Sequence, residues 1–184
     1  GGDELLRLVI TTFVDPGEKI GMTDPTYSLY SVLAQIQDCP IVNAPLLADW
    51  TLPEEFAQSM NDQKVRLTFL VNPHAPTGAL LPIDQVSKLA SDLNSVLLLD
   101  EAYIDFSKKQ SWVNELDEYP NLVITQTLSK AYGLAGIRLG ICYASSQVIA
   151  VLNKIKPPYN VNQLTQKRAL TRLADKEKIE IEID

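Results

Sequence analysis

The chain alternates between short, unbroken apolar runs and stretches in which apolar side chains recur every three or four residues. The spacing from Leu5 onward predicts a first helix over 3–14, which the "DPG" turn ends. Next, "EKIGMTDP" predicts a short strand, the spacing from Leu29 to Ile36 a second helix, and "DCPIVNAP" another extended segment. Strands and helices therefore alternate from the start of the chain.

Three unbroken apolar runs occupy the middle of the chain: "VRLTFLV" at 65–71, "SVLLLD" at 95–100 and "NLVITQ" at 121–126. Such runs are typical of strands covered on both faces, and a helix opened by Pro82 supplies a crossover between the first two. "GIRLGICYA" predicts one more strand, and a helical pattern follows until "KPPYN" ends it. The predicted fold is an α/β three-layer sandwich with a mostly parallel central sheet.

Polar side chains cluster where these strands end. "NPHAPTG" follows the first run, "DEAY" closes the second and "TLSK" follows the third, so Asn72, Asp100 and Lys130 are separated by 28 and 30 residues. That spacing is about one strand-helix-strand unit, and parallel strands end along one edge, where open α/β sheets bind ligands. Singly, Asp100 and Asn72 could serve local turns, and Lys130 could be a solvated surface lysine rather than an amine enclosed for chemistry. Because the three side chains lie at three successive strand ends, we expect them to share one pocket.

Composition and charge narrow the possible partners. The 184 residues carry 16 basic and 23 acidic side chains, and the net charge of -7 is spread along the chain. This distribution argues against nucleic acid or an anionic membrane and favours small molecules. With no apolar run near the length of a membrane span, we expect a soluble, cytoplasmic protein. Cys39 and Cys142 lack metal-ligand spacing, so we expect two buried, reduced thiols and no metal, with metal binding the minor alternative.

Five motifs together carry a family resemblance. "TLSKAYGLAGIRLG" resembles the Schiff-base lysine segment of fold-type I pyridoxal-phosphate aminotransferases, and most closely that of the histidinol-phosphate aminotransferase family. "DEAYIDF", "NPHAPTG", "DPTYSLY" and "GGDE" resemble the family's aspartate-tyrosine, asparagine-proline, ring-stacking and phosphate-binding segments. They occur in the family's order and extend from residue 1 to about "PPYNVNQ".

The resemblance implies a pyridoxal 5'-phosphate cofactor and assigns roles around it. Lys130 would bind the cofactor's aldehyde and later move a proton, since a primary amine can do both. Asp100 would hold the protonated pyridine nitrogen. Asn72 and Tyr103 would hold the ring oxygen, and Tyr27 would lie over the ring face.

The resemblance also implies a site for the cofactor's phosphate. The turn at Gly2 and Asp3 would offer N–H groups at a helix start, with the Asp3 and Glu4 side chains pointing away or acting as caps. Ser129 would add a hydroxyl and Arg138 a guanidinium. In the loop after the first run, "HA" replaces two of the family's asparagines, and we interpret the one histidine of the sequence as a loop residue rather than a base.

The implied activity is transamination of L-histidinol phosphate with 2-oxoglutarate to imidazole acetol phosphate and glutamate, by a homodimer. Two alternatives stay open: an amino-acid phosphate decarboxylase of the same fold, and a non-catalytic binding module. Residues 1–160 would form the cofactor-binding large domain, and 161–184 the start of a connection to a small domain. The family's N-terminal segment and small domain are absent from this sequence, which we therefore interpret as a piece of a longer chain. The charged end, "LADKEKIEIEID", is either a solvated helix or a frayed terminus.

Overall fold

A six-stranded sheet forms the centre of the protein in a computed structural model, which describes residues 1–183. The strands are β1 (Lys19–Asp24), β2 (Ile41–Pro45), β3 (Val65–Val71), β4 (Val96–Asp100), β5 (Leu122–Thr127) and β6 (Gly140–Ala144). Their order is β2-β1-β3-β4-β5-β6; the first five are parallel, and β6 runs antiparallel to β5. The predicted mostly parallel sheet is confirmed.

Helices cover both faces of this sheet. They are α1 (Gly2–Phe13), α2 (Leu29–Ile36), α3 (Phe56–Asp62), α4 (Ile83–Asp92), α5 (Ser146–Ile155), α6 (Gln163–Leu173) and α7 (Lys176–Ile183), with 3-10 turns at Ile104–Phe106, Trp112–Glu115 and Ala135–Ile137. The first helix is shifted by one residue from the predicted 3–14, and α3 and α6 were not predicted. The charged end forms α7 up to its last described residue, and Asp184 lies outside the described residues.

The core has two layers because successive strand side chains point to opposite faces. Phe69 and Leu98 face the side covered by α1, α2 and α5. Leu97 and Leu99 face the side covered by α3 and α4. All four are fully buried, which explains why the central strands show no apolar-polar alternation.

The carboxyl ends of β1, β3, β4 and β5 lie along one edge of the sheet. The chain passes outward from β1 to β2 and then returns to β3 on the other side of β1, so the strand order reverses between β1 and β3. Open α/β sheets bind ligands beside such a reversal. Because β6 is antiparallel, it starts at the edge where β5 ends, so the loop between the two strands lies on this side.

The two cysteines are both free thiols, but only Cys39 is buried. The prediction of two buried thiols is wrong for Cys142, which is half-buried because β6 is the edge strand of the sheet. Burial nevertheless raises the pKa of the Cys142 thiol to about 11. Within residues 1–183, no cluster of His, Cys, Asp or Glu side chains is arranged to hold a metal ion. None of the helices in that part of the chain is long and apolar enough to cross a membrane.

Candidate active site

A cavity of about 160 Å³ opens at the carboxyl edge of the sheet. It brings together residues from α1 and from the loops after β1, β4 and β5. Eight of the residues singled out in the sequence line it: Gly2, Asp3, Tyr27, Asp100, Tyr103, Ser129, Lys130 and Arg138. The expected convergence of a carboxylate and an amine at successive strand ends is therefore present.

Asn72 is buried beside this cavity but does not line it. Its backbone N–H donates to the carbonyl oxygen of Asp100 at 2.9 Å, which continues the contact between β3 and β4. Its side-chain Oδ1 accepts from the backbone N–H of Leu81 at 3.0 Å. In this structure the amide braces its own loop, and a contact with a ring oxygen stays a prediction.

Asp100 is a buried carboxylate in the wall of the cavity, with 7% of its surface exposed. The Tyr30 hydroxyl donates to Oδ2 at 2.8 Å, and the Ala102 N–H donates to Oδ1 at 3.1 Å. Burial raises the pKa of this carboxyl from 3.8 to about 6; these hydrogen bonds oppose the rise, and the negative charge of Asp3 adds to it. Both donors are neutral, so a cationic donor entering the cavity would favour the ionised form.

This raised pKa predicts how stability varies with pH in the ligand-free protein. The folded state keeps the Asp100 proton up to about pH 6, whereas an unfolded chain loses it near 3.8, so the contribution of Asp100 falls as pH rises through this window. At roughly 1.4 kcal/mol per pKa unit, the total fall is about 3 kcal/mol. Urea unfolding of wild type and Asp100→Asn from pH 3.5 to 7 measures this fall. The difference between their free energies of unfolding should change with pH across this range. A difference in unfolding free energy that stays constant with pH would contradict the raised pKa of Asp100.

Lys130 lies at the mouth of the cavity on the loop after β5. Its Nζ is 5.2 Å from the centroid of the Tyr103 ring, close enough for a cation-π contact. The side chain is exposed rather than enclosed. Lys130 is therefore a solvated lysine in this structure that also faces the cavity.

The start of α1 lies against Arg138. A Cβ on Gly140 would come within 2.8 Å of the Gly2 nitrogen, so only glycine allows β6 to begin this close to the helix. Arg138 adopts the left-handed conformation (φ 55°, ψ 48°). Its guanidinium lies beside the start of the helix, where backbone N–H groups and the helix dipole favour an anion.

The acidic side chains of this turn are paired with arginines. Asp3 Oδ2 is 3.1 Å from Arg138 Nη2, and Glu4 Oε1 is 2.6 Å from Arg7 Nη2. The expectation that the Asp3 side chain points away or caps the helix is therefore wrong, because it pairs with the nearest cation. An anion bound here would compete with Asp3 for that guanidinium.

Ser129 completes this side of the cavity. The Thr127 hydroxyl donates to Ser129 Oγ at 3.0 Å, and the Ser129 N–H donates to Thr127 Oγ1 at 3.1 Å. These local bonds fix the turn that carries Lys130. The Ser129 hydroxyl can still donate to a ligand.

Tyr27 and His74 lie on the loops that follow β1 and β3 at the edge of the sheet. Tyr27 contacts Tyr30 edge-to-face, with ring centroids 5.5 Å apart and planes at 86°. His74 Nε2 donates to the carbonyl of Pro25 at 3.0 Å, and its Nδ1 lies 2.8 Å from Thr77 Oγ1. His74 is buried in its loop and outside the cavity lining, as expected for a loop residue.

Sequence reasoning missed three residues of this site. Tyr30 lies three positions after Tyr27 in "DPTYSLY", and this spacing could have placed the two rings close together at the start of α2. Thr125 and Thr127 line the cavity, and the signal for them was the polar residues within and after the apolar run "NLVITQ". Thr125 faces the same side as Asp100, its partner in the β4-β5 register.

Comparison with known proteins agrees with this fold. The model of the family described as aminotransferase class I and II matches residues 1–184, so the chain belongs to this family. Among curated relatives, a histidinol-phosphate aminotransferase of Flavobacterium johnsoniae is 52% identical over 184 residues, which is 100% of this chain and 53% of that protein. One from Bacteroides fragilis is 44% identical over 174 residues, 94% of this chain and 50% of that protein. The chain thus spans about half the length of the curated relatives it matches.

Solved structures confirm the fold. The histidinol-phosphate aminotransferase of Sinorhizobium meliloti, in complex with pyridoxal-5'-phosphate, is similar with a TM-score of 0.93 and 25% identity, over 100% of this chain and 51% of that one. The enzyme of that name from Clostridium acetobutylicum gives a TM-score of 0.88 and 28% identity, over 100% and 55% of the two chains. The three-layer α/β sandwich is therefore the architecture of these proteins.

Proposed function

We propose that this chain forms the cofactor-binding part of a pyridoxal-phosphate aminotransferase that converts L-histidinol phosphate and 2-oxoglutarate to imidazole acetol phosphate and glutamate. The observation that carries the proposal is that the Lys130 amine and the buried Asp100 carboxylate face one cavity. The whole-chain similarity to histidinol-phosphate aminotransferases supports this choice of substrate.

The side chains of the cavity fit pyridoxal phosphate in charge and chemistry. Asp100 has only neutral donors, so it suits a protonated ring nitrogen. Arg138 beside the start of α1 suits the phosphate dianion. Thr125 Oγ1 lies buried in the cavity wall and has no hydrogen-bond partner among residues 1–183, so the ligand-free cavity leaves a polar atom unsatisfied, as expected of a site that a ligand completes.

When bound, the cofactor supplies a ring that accepts the electrons left when a proton leaves the substrate's α-carbon. Lys130 would hold the cofactor's aldehyde covalently until the amine of the substrate displaces it. The released Lys130 amine would then carry a proton between the α-carbon and the former aldehyde carbon. Asp100 would keep the ring nitrogen protonated.

Three further residues would fix the ring. Tyr103 and Asn72 would donate to the ring oxygen, and Tyr27 would cover the ring face, a contact worth about 1 kcal/mol. For Asn72 this requires the side-chain amide to point toward the cavity while Oδ1 keeps its bond to the loop. These roles rest on the motifs and on the position of each residue at the sheet edge.

The surroundings of this site in the complete protein are also part of the proposal. Residues 1–160 would be the large domain and residues 161–184 the start of the connection to a small domain. In the described part of that connection, α6 packs on the loop that carries Lys130: the Thr165 hydroxyl donates to the Ile137 carbonyl at 3.2 Å. A homodimer in the cytoplasm is the proposed working form.

Product analysis tests the proposed reaction. The full-length protein with L-histidinol phosphate and 2-oxoglutarate should form glutamate, and carbon dioxide release from amino-acid phosphates would instead indicate the decarboxylase. The purified protein should be yellow, and borohydride should fix the cofactor on Lys130. Colourless protein from cofactor-replete cells, with no such adduct, would favour the non-catalytic binding module.

Replacing Arg138 with alanine should weaken retention of pyridoxal phosphate about tenfold, because one charge-assisted hydrogen bond to the phosphate is lost. Arg66→Ala is a matched control: the Arg66 side chain is 58% exposed and pairs with Glu18, and that of Arg138 is 59% exposed and pairs with Asp3. Cofactor dissociation constants from absorbance titration should change for Arg138→Ala alone. Equal constants for both variants would remove Arg138 from the phosphate site.

A further inference from the structure

We infer that Tyr30 and Thr125 are positioning residues that hold the Asp100 carboxylate in place for a cationic ring nitrogen. The inference rests on the proposed function, because it concerns the same cavity. It adds two residues outside the family's motif roles set out above. Both act on the ligand through Asp100 rather than by direct contact with the reacting atoms.

Tyr30 is held rigidly on α2, directly beside Asp100. Its side chain is 0% exposed, and its ring stacks on Phe69 with centroids 4.5 Å apart and planes at 12°. Tyr27 contacts the ring edge-to-face, so the phenol has little freedom to turn. Its hydroxyl therefore meets Asp100 Oδ2 at a fixed point, 2.8 Å away.

The direction of this hydrogen bond is also fixed. Burial and the nearby Asp100 charge raise the pKa of the Tyr30 phenol well above its ordinary value, so the hydroxyl stays protonated and donates. The Ala102 N–H holds the other oxygen, Oδ1, at 3.1 Å. With one donor on each oxygen, the carboxylate plane is set while further lone pairs remain for a ligand.

Thr125 approaches the carboxylate from the neighbouring strand. It is the register partner of Asp100 in the β4-β5 pair, and only 1% of its surface is exposed. Its hydroxyl lies near enough to favour the charged carboxylate, but the contact lacks hydrogen-bond geometry, and Oγ1 has no partner among the described residues. Buried hydroxyls are nearly always paired, so we assign this one to the ionised Asp100 carboxylate, whether the charge appears on titration or when a cation enters the cavity.

Other charges around the cavity do not replace these two hydroxyls. Asp3 on α1 raises the pKa of Asp100 by repulsion and so opposes the ionised form. The hydrogen bonds of the Asp100 carboxylate come from neutral groups. The remaining titratable side chains that line the cavity are Tyr27, Tyr103, Lys130 and Arg138.

Two substitutions that remove only a hydroxyl test the inference in the full-length protein. Tyr30→Phe keeps the ring that stacks on Phe69, and Thr125→Val keeps the branched shape. The titration of Asp100 is followed without cofactor by carboxyl carbon NMR, using the resonance that Asp100→Asn lacks. Tyr30→Phe should raise the pKa of Asp100 further above about 6, and Thr125→Val should raise it less. Thr125→Ser keeps the hydroxyl and should restore the wild-type titration.

Cofactor affinity gives a second readout. Pyridoxal phosphate should bind about tenfold more weakly to Tyr30→Phe and roughly threefold more weakly to Thr125→Val, as expected for bonds to a charged group. Matched controls are Tyr132→Phe, which removes a 3.1 Å bond to Asp105, and Thr68→Val, which removes a buried hydroxyl 3.5 Å from that of Ser95. Neither control should move the Asp100 resonance.

The outcomes separate this inference from the proposed function. An Asp100 titration that is unchanged in Tyr30→Phe and Thr125→Val overturns the inference, whether or not the cofactor binds. A shift that appears equally in the two controls overturns it as well. Wild-type protein that binds no pyridoxal phosphate refutes the proposed function instead, and the titration still decides whether the two hydroxyls hold Asp100. If Tyr30→Phe does not fold, the Asp100 titrations of Thr125→Val and Thr125→Ser decide whether the inference holds.

Discussion

Lys130→Ala should reduce glutamate formation from L-histidinol phosphate and 2-oxoglutarate by at least about a thousand-fold. The loss combines the two functions proposed for one amine, covalent attachment of the cofactor and proton transfer, and proton transfer by a positioned group is alone worth about a hundred- to ten-thousand-fold. The fold should be nearly unaffected, because Lys130 is exposed at the mouth of the cavity. Steady-state rates and urea unfolding of the full-length protein give the two measurements.

A second lysine serves as the control for Lys130. Lys88 is an exposed lysine that pairs with Asp92 at 2.5 Å on α4, away from the cavity. Lys88→Ala should keep wild-type turnover and borohydride labelling, whereas Lys130→Ala should lose both. Turnover by Lys130→Ala within tenfold of wild type would contradict the assigned role.

Asp100→Asn should lower the transamination rate by roughly a hundred- to a thousand-fold, the range found when a preorganised electrostatic contact is removed from an active site. The amide keeps the size of the side chain, but it cannot favour the protonated ring nitrogen through a negative charge. The substrate concentration at half-maximal rate should change much less than the maximal rate, because the proposed partner of Asp100 is the ring nitrogen of the cofactor and not the substrate.

Asp92→Asn is the matched substitution for Asp100→Asn, since Asp92 is a half-exposed carboxylate on α4 with a lysine partner. It should leave the rate unchanged. A maximal rate for Asp100→Asn equal to that of Asp92→Asn would show that the carboxylate in the cavity does not assist catalysis.

The central strands β3, β4 and β5 could be predicted from the sequence because each lies in an unbroken apolar run with both faces covered. The helices α3 and α6 could not be predicted from the sequence. The seven-residue helix α3 buries only Phe56, Ala57 and Met60, too few positions to show a helical period. In α6 only Ala169 and Arg172 are buried, so most of the apolar signal is missing.

The candidate site likewise has features that the sequence could predict and contacts that it could not. The convergence of Asp100 and Lys130 follows from strand ends at one edge of a parallel sheet, so spacing along the chain was enough to predict it. The bond from Tyr30 to Asp100 joins residues 70 positions apart and depends on how α2 packs over β4. The ion pair between Asp3 and Arg138 likewise depends on β6 approaching α1 at Gly140, which no local pattern reports.

Because β6 runs antiparallel to β5, the one loop between them carries two side chains of the cavity. Had β6 run parallel to β5, it would begin at the opposite edge, roughly 20 Å away at 3.3 Å for each of the six residues of β5. Instead, the loop between the two strands delivers both Lys130 and Arg138 to the same cavity. A change in the length of this one connection would therefore displace the amine of Lys130 and the guanidinium of Arg138 from the cavity at once.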